Sequence, residues 1–210
     1  MQGSGTGSMR GIIPRAMQQV GLYKQDLEAK GWQYQMEVSF VEIYNESIRD
    51  LLRNNPSDDL KHDIKRDANG LVFITDVTMI SVDPTNIEQI EGIMELASRH
   101  RSVGSTAMND RSSRSHSIFA LHLRASNDAQ NISLKGTLSL VDLAGSERLD
   151  KSGVSGSQLK ETVAINKSLS ALVDVFSAIA NKQQHVPFRN SKLTYLLQPA
   201  LSGDGKTLMV

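Results

Sequence analysis

Apolar residues recur along this chain with two periods, one near two residues and one near three to four, and segments of the two kinds alternate from end to end. The stretch from Gln35 to Tyr44 places Met36, Val38 and Phe40 on one side of an extended backbone and is rich in β formers. It predicts a strand, closed off by Ile48, Leu51 and Leu52 ahead of the turn-prone run Asn54-Asn55-Pro56-Ser57-Asp58-Asp59. Ser117 to Arg124 alternates again through Phe119, Leu121 and Leu123, and Asn127-Asp128 marks a turn into a partner strand that ends at Asp142. Leu71 to Ser81 has room for one or two short strands around Asp76.

Helical spacing fills the intervals. Pro14 suits a first helical turn, and Ala16, Met17, Val20 and Leu27 form an apolar stripe behind the flexible Gly3–Gly11 loop. Asp83-Pro84-Thr85 opens a second helix marked by Ile87, Ile90, Met94 and Ala97. A third carries Ile165, Leu169, Leu172, Val173, Phe176 and Ile179, which the period places on one face. His185-Val186-Pro187 interrupts it, Ser191 to Leu201 predicts a shorter helix, and Thr207 to Val210 reads as the start of an apolar strand after the Gly203-Asp204-Gly205 turn. Strands interleaved with helices predict an α/β sandwich.

Composition narrows the function classes. At 210 residues the chain suits one domain with a sizeable core. Its 23 basic and 23 acidic residues cancel, so no global field draws it to nucleic acid or to an anionic membrane, and a charged partner must be met by a local patch. With no cysteine there is neither a disulfide framework nor a thiolate metal site. No apolar run is expected to reach the roughly 18 residues of a membrane span, and Met1 to Ser8 lacks the regions of a signal peptide. The expectation is a soluble intracellular protein.

The chemistry concentrates in two segments. Asp142-Leu143-Ala144-Gly145-Ser146-Glu147 follows the apolar run Leu138–Val141. A carboxylate at the end of a buried strand can hold a water of Mg²⁺, and a glycine three residues on lets its amide approach a terminal phosphate unobstructed. Upstream, Asn109-Asp110-Arg111-Ser112-Ser113-Arg114-Ser115-His116 offers adjacent hydroxyls for phosphate and metal, and Arg114 is opposite in charge to Glu147. Either segment alone is a weak signal. Both in this order, each beside a strand, are specific.

Together they resemble the switch I (109–116) and switch II (142–147) loops of the kinesin motor domain. The resemblance continues through Asn166-Lys167-Ser168-Leu169-Ser170, through His185-Val-Pro-Phe-Arg-Asn-Ser-Lys-Leu-Thr194 and, upstream, through Val41-Glu42-Ile43-Tyr44-Asn45-Glu46. Gly11-Ile-Ile-Pro-Arg15, Gly31-Trp32 and Arg189-Asn190 lean towards the minus-end-directed, C-terminal-motor kinesin-14 group. The resemblance spans 1–210. It implies a P-loop-NTPase-like α/β motor fold, a central mixed sheet with helices on both faces, truncated at its N-terminal third and at its C-terminal end.

It also implies roles. Ser112 approaches the γ-phosphate of ATP, Ser113 the Mg²⁺, and Asp142 holds the metal through water. The amide of Gly145 senses the γ-phosphate, Asn109 lies in the nucleotide site, and Arg114 and Glu147 pair to position the attacking water. The partner implied is the microtubule, whose acidic surface calls for cations on one face. Arg148, Lys151, Lys160, Arg189 and Lys192, within a region of about 148–195, are the candidates, while Lys182 reads as a solvated helix-end charge and Phe188 and Leu193 as core. Where many family members carry a further basic residue this chain has Tyr195. A homo- or heterodimer through a coiled coil outside the chain, and a place on cytoplasmic and spindle microtubules, follow from the same resemblance.

One part of an ATPase is missing from the sequence: no G-x-x-x-x-G-K-[ST] loop occurs. Gly3-Ser4-Gly5-Thr6-Gly7 has no lysine after it, and Gly205-Lys206-Thr207 has Ala200 where the first glycine belongs. The expectation is a motor fragment that is inactive by itself and exposes strand edges a complete domain covers. The alternative is a non-catalytic microtubule-binding module, against which stands the survival of Ser112, Ser113, Arg114, Asp142, Gly145 and Glu147 together. A small G-protein-like switch would want Asn-Lys-x-Asp, which Asn166-Lys167-Ser168-Leu169 does not supply.

Overall fold

The structure, a computed structural model, describes all residues except 2, 4–8, 55–59, 69, 104–110, 147–156 and 203–204, and omits the side chains of 103, 111, 112 and 157–162 as well. Three long strands dominate it: β1 (Gln33–Tyr44), β6 (His116–Asn127) and β7 (Ile132–Asp142). With the short β2 (Ser47–Asp50) they form a sheet ordered β2-β1-β6-β7, and β5 (Ile80–Ser81) also pairs with β1. β3 (Ile64–Arg66) and β4 (Val72–Ile74) make a separate two-stranded sheet. Every pairing among the described strands is antiparallel, so the parallel component of the expected mixed sheet is not among them.

Alternation on β1 assigns the two layers. Met36, Val38 and Phe40 face α1 (Ile12–Glu28) and α2 (Ile87–Val103), packing with Phe119 and Leu121 of β6 against Ile13, Met17, Ile90, Ile93, Met94 and Ala97. Phe40 and Phe119 meet edge to face at 5.6 Å between ring centres. Val41 and Ile43 point the other way, with Ile118, towards Leu172 of α3 (Ser157–Ala180) and Leu193 of α4 (Lys192–Leu201). Helices thus cover both faces, as expected, and each fully buried large aliphatic or aromatic side chain contributes about 1.5–3 kcal/mol.

Several expectations shift. α1 buries Ile13, Pro14, Met17 and Gly21 rather than the Ala16, Val20 and Leu27 stripe. At Gly21 a side chain would lie 3.1 Å from the Pro84 carbonyl, so the glycine lets the helix close on the Asp83–Thr85 turn. α3 buries Ile165, Ser168, Ala171, Leu172, Val175 and Ala178, whereas Val173 is 62% exposed and Ile179 is exposed too. Small residues let that face approach the sheet, and the bulkier ones were a misleading guide to it. Ile48 closes nothing off: it lies in β2, which returns along β1 in register from Tyr44↔Ser47 to Val41↔Asp50. The turn between them, Asn45-Glu46, has φ of 48° and 55°, the type I′ form that matches strand twist. Thr207–Val210 forms no strand, and Leu208, Met209 and Val210 are exposed.

Over Val163–Ala180, α3 is long and apolar enough to pass as a membrane span by length and composition, contrary to the expectation that no run would be. Lys167 and Asp174 interrupt that stretch, and Ile165, Leu172 and Val175 are committed to the core. About a third of the stretch, 33%, is buried.

Candidate functional site

Three strand ends converge at one edge of the main sheet. The register Glu42↔Ser117 and Ser117↔Asp142 sets Glu42, Ser117 and Asp142 in a row across β1, β6 and β7. Next to that row, Ile43↔His116 places the start of β6 beside the end of β1 with its side chains on the opposite face. The 3-10 turn Arg111–Arg114 leads directly into β6, and the segment after β7 begins at Leu143. The two loops singled out from sequence are therefore neighbours because their strands are.

They also touch. The amide of Gly145 donates to the carbonyl of Ser113 at 2.8 Å. In this structure the donor expected to sense a phosphate is used on the other loop.

On the α2 face, Arg101 reaches across the row. Its guanidinium lies 3.6 Å from the carboxylate of Glu42, which is fully buried, and 3.9 Å from that of Asp142, whose side chain is 44% exposed. It also donates to the hydroxyl of the buried Ser115 at 3.2 Å. Asp142 is held from behind by a cation while part of its carboxylate stays open to solvent.

On the α3 face, His116 is 3% exposed. Its Nδ1 accepts from the Ala144 amide at 3.0 Å, and its Nε2 lies 2.8 Å from the hydroxyl of Ser168, which itself donates to the Ile165 carbonyl at 2.7 Å. Burial holds the imidazole pKa down to about 4, from an ordinary 6.5. The folded value lies below the unfolded one, so the neutral ring's contribution is complete above pH ~6.5 and is lost as the pH falls towards 4. At 1.36 kcal/mol per unit this is about 3 kcal/mol. Urea midpoints followed from about pH 7.5 to 4.5 should fall more steeply for the wild type than for His116→Asn; parallel profiles would contradict the assignment.

The second feature lies at the start of α4. Ser191 caps the helix, its hydroxyl accepting from the Thr194 amide at 3.2 Å, and the Glu46 carboxylate accepts from the Lys192 amide at 2.9 Å. Phe188 and Leu193 are buried, as expected, and Lys182 is exposed at φ 49°. Arg189 stands over the ring of Tyr195, 5.6 Å from its centre. An open groove of about 430 Å³ between α3 and this segment is lined by Lys167, Ser170, Ala171, Asp174, Arg189 and Asn190.

The structure thus brings Ser113 to Gly145, three residues beyond Asp142, while Arg189 and Lys192 flank the Ser191 cap. Arg114 sits half-buried at the end of the 3-10 turn. Asn109, Glu147, Arg148 and Lys151 lie outside the described residues, as do the side chains of Ser112 and Lys160. Sequence reasoning gave no individual role to Glu42, Ser115, Lys167 or Ser168, though each lies in a quoted motif, and it passed over Arg101. Glu42 carried a signal, a lone acid inside the apolar run from Phe40 to Ile43. Arg101, one of several charges near the end of a helix, carried none.

The whole chain, residues 1–210, matches the family model described as the kinesin motor domain. It is similar to Kinesin-like protein KIN-14N of Oryza sativa, 51% identical over 95% of this chain and 27% of the relative. It is also similar to Carboxy-terminal kinesin 2 of Xenopus laevis, 47% identical over 97% of this chain and 32% of the relative. Among solved structures it superposes on the motor domain of the Saccharomyces cerevisiae kinesin-like protein KAR3, with TM-score 0.82 and 48% identity over 95% of this chain and 60% of that one. A C-terminal motor and motor homology domain of Kar3Vik1, fused to a synthetic heterodimeric coiled coil, gives TM-score 0.85 at 48% identity, over 95% of this chain and 51% of that one. The chain spans about a quarter to a third of the curated relatives it matches.

Proposed function

This chain belongs to the kinesin motor domain family, and on that premise we propose that it is the nucleotide-sensing and filament-facing part of an ATP-driven microtubule motor. The observation that carries this reading is the bond from the Gly145 amide to the Ser113 carbonyl, which joins the two loops where three strands end. A γ-phosphate is a competing acceptor for that amide. Bound phosphate draws Gly145 away from Ser113, and its release lets the loops rejoin, so the same donor reports which state the site is in.

The residues present suit Mg²⁺. This ion takes one or two carboxylates and otherwise keeps waters and phosphate oxygens, so the single half-open carboxylate of Asp142, with the hydroxyl of Ser113 on the loop bonded to Gly145, is a fitting donor set. When bound, the ion would be held by Asp142 and Ser113 and would offset negative charge developing on the phosphate. By the same proposal Ser112 would approach the γ-phosphate, Asn109 would serve the nucleotide site, and Arg114 and Glu147 would pair to position the attacking water. Arg101 keeps Asp142 at the sheet edge through its Asp142 and Glu42 contacts. Because no G-x-x-x-x-G-K-[ST] loop occurs in the chain, this segment by itself has little or no grip on ATP, and the complete motor protein hydrolyses it.

Arg189, Lys192 and the groove residue Lys167 form the described part of the filament face, continued by Arg148, Lys151 and Lys160. An acidic track meets cations here although the chain's net charge is zero. Tyr195 adds no charge but stacks under Arg189. Reversing Arg189 and Lys192 to glutamate in the complete motor should weaken microtubule co-sedimentation by about ten-fold or more and flatten its salt dependence. Unchanged binding refutes the filament assignment. Dimerisation through a coiled coil, and a place on cytoplasmic or spindle microtubules, belong to the same proposal.

A further inference from the structure

We propose that Ser168 is a positioning residue that carries the state of the nucleotide loops into α3, through a directed hydrogen-bond chain running by way of His116 to Ala144. The inference rests on the reading of the two loops as a nucleotide switch and of α3 as filament-facing, and adds the wire between them.

The polarity of the chain follows from its first link. The Ala144 amide can only donate, so Nδ1 of His116 must be the bare nitrogen and Nε2 must carry the hydrogen. Nε2 then donates to Ser168 Oγ, leaving the hydroxyl hydrogen for the Ile165 carbonyl. Reversing any one bond sets two donors face to face or strands a buried acceptor. Ala144, His116 and Ser168 are 5%, 3% and 2% exposed, so water has no access to repair a broken link.

The ends of the chain sit where the two functions do. Ala144 lies between Asp142 and Gly145, and the Gly145 amide is the donor shared between Ser113 and phosphate. A move of Gly145 shifts Ala144 and with it the acceptor end of the imidazole. At the far end Ser168 belongs to the buried stripe of α3, next to Lys167, which lines the groove with Arg189. Elsewhere Leu172 of α3 shares an apolar cluster with Val41 and Ile118 of the sheet. Apolar packing tolerates a small slide, whereas a hydrogen bond at 2.8 Å does not.

The test uses the complete motor protein. Filament-stimulated and basal ATP turnover and the thermal midpoint are measured for wild type, Ser168→Ala and Ser168→Thr. Ser168→Ala leaves Nε2–H with no acceptor and should lower the ratio of stimulated to basal turnover by roughly 5–20-fold, within the usual range of a coupling between sites. Ser168→Thr keeps the hydroxyl and should recover most of that ratio. A lowered thermal midpoint with an unchanged ratio would make Ser168 merely structural and overturn the proposal. If the alanine variant does not fold, Ser168→Cys, with its weaker acceptor, should give an intermediate ratio, and a wild-type ratio there overturns it equally. Absence of filament stimulation in the wild type would instead remove the functional reading on which the proposal stands.

Discussion

Arg101→Ala is expected to lower the stability of the fold by about 3–5 kcal/mol, the cost typical of removing one partner from a buried ion pair. Glu42 has no exposed surface, and the Arg101 guanidinium is a cation beside it. Its carboxylate cannot turn to water, because both its neighbours on β1 are core residues and its cross-strand partner Ser117 is buried. The same substitution withdraws a donor from Ser115 and the charge behind Asp142, so three segments loosen at once. The double variant Glu42→Leu/Arg101→Met removes both charges and should recover most of the loss, since apolar replacement of a buried pair is often neutral. Urea titration of the three proteins decides the matter: a single variant as stable as wild type, or a double variant worse than the single one, contradicts the account.

Glu147→Ala acts on a different quantity. In the complete motor it should leave ATP binding near the wild-type level while reducing filament-stimulated turnover by about 100-fold or more. The proposed pairing of Arg114 with Glu147 is assigned to catalysis rather than to folding. Its proposed role is placement of a water relative to phosphate, where a misplacement of about 1 Å can cost on the order of 100-fold. In the sequence Glu147 stands two residues beyond Gly145 and Arg114 one beyond Ser113, and the Gly145 amide bonds the Ser113 carbonyl. Nucleotide titration by fluorescence alongside steady-state turnover separates the two effects, and normal stimulated hydrolysis would sink the assignment.

Much of this was legible in the chain because it is encoded locally. The long strands announced themselves by alternation, and Asp142, Gly145 and the Ser112–His116 run by their spacing beside strand ends. The start of α4 was visible in Ser191, whose cap needs only its own helix. What failed depended on distant residues. The burial phase of α3 is set by the sheet it meets, which favours Ser168 and Ala171 over Val173. The Asn45-Glu46 turn lacks the usual glycine, so the hairpin was hidden. The Glu42–Arg101 pair joins residues 42 and 101 across two elements, and nothing near either one in the chain signals the other.

That hairpin has a further consequence. Glu46 holds a left-handed backbone conformation that suits glycine or asparagine better, a strain of order 1 kcal/mol. In exchange its carboxylate closes the exposed amide end of α4, where the helix dipole favours an anion. The tip of one hairpin thus acts as a gauge block between the central sheet and the basic segment. A one-residue insertion or deletion in β1 or β2 would displace the tip by about 3.3 Å, more than the 2.9 Å contact can absorb. The length of this turn, together with its carboxylate, is what the start of α4 inherits from the sheet.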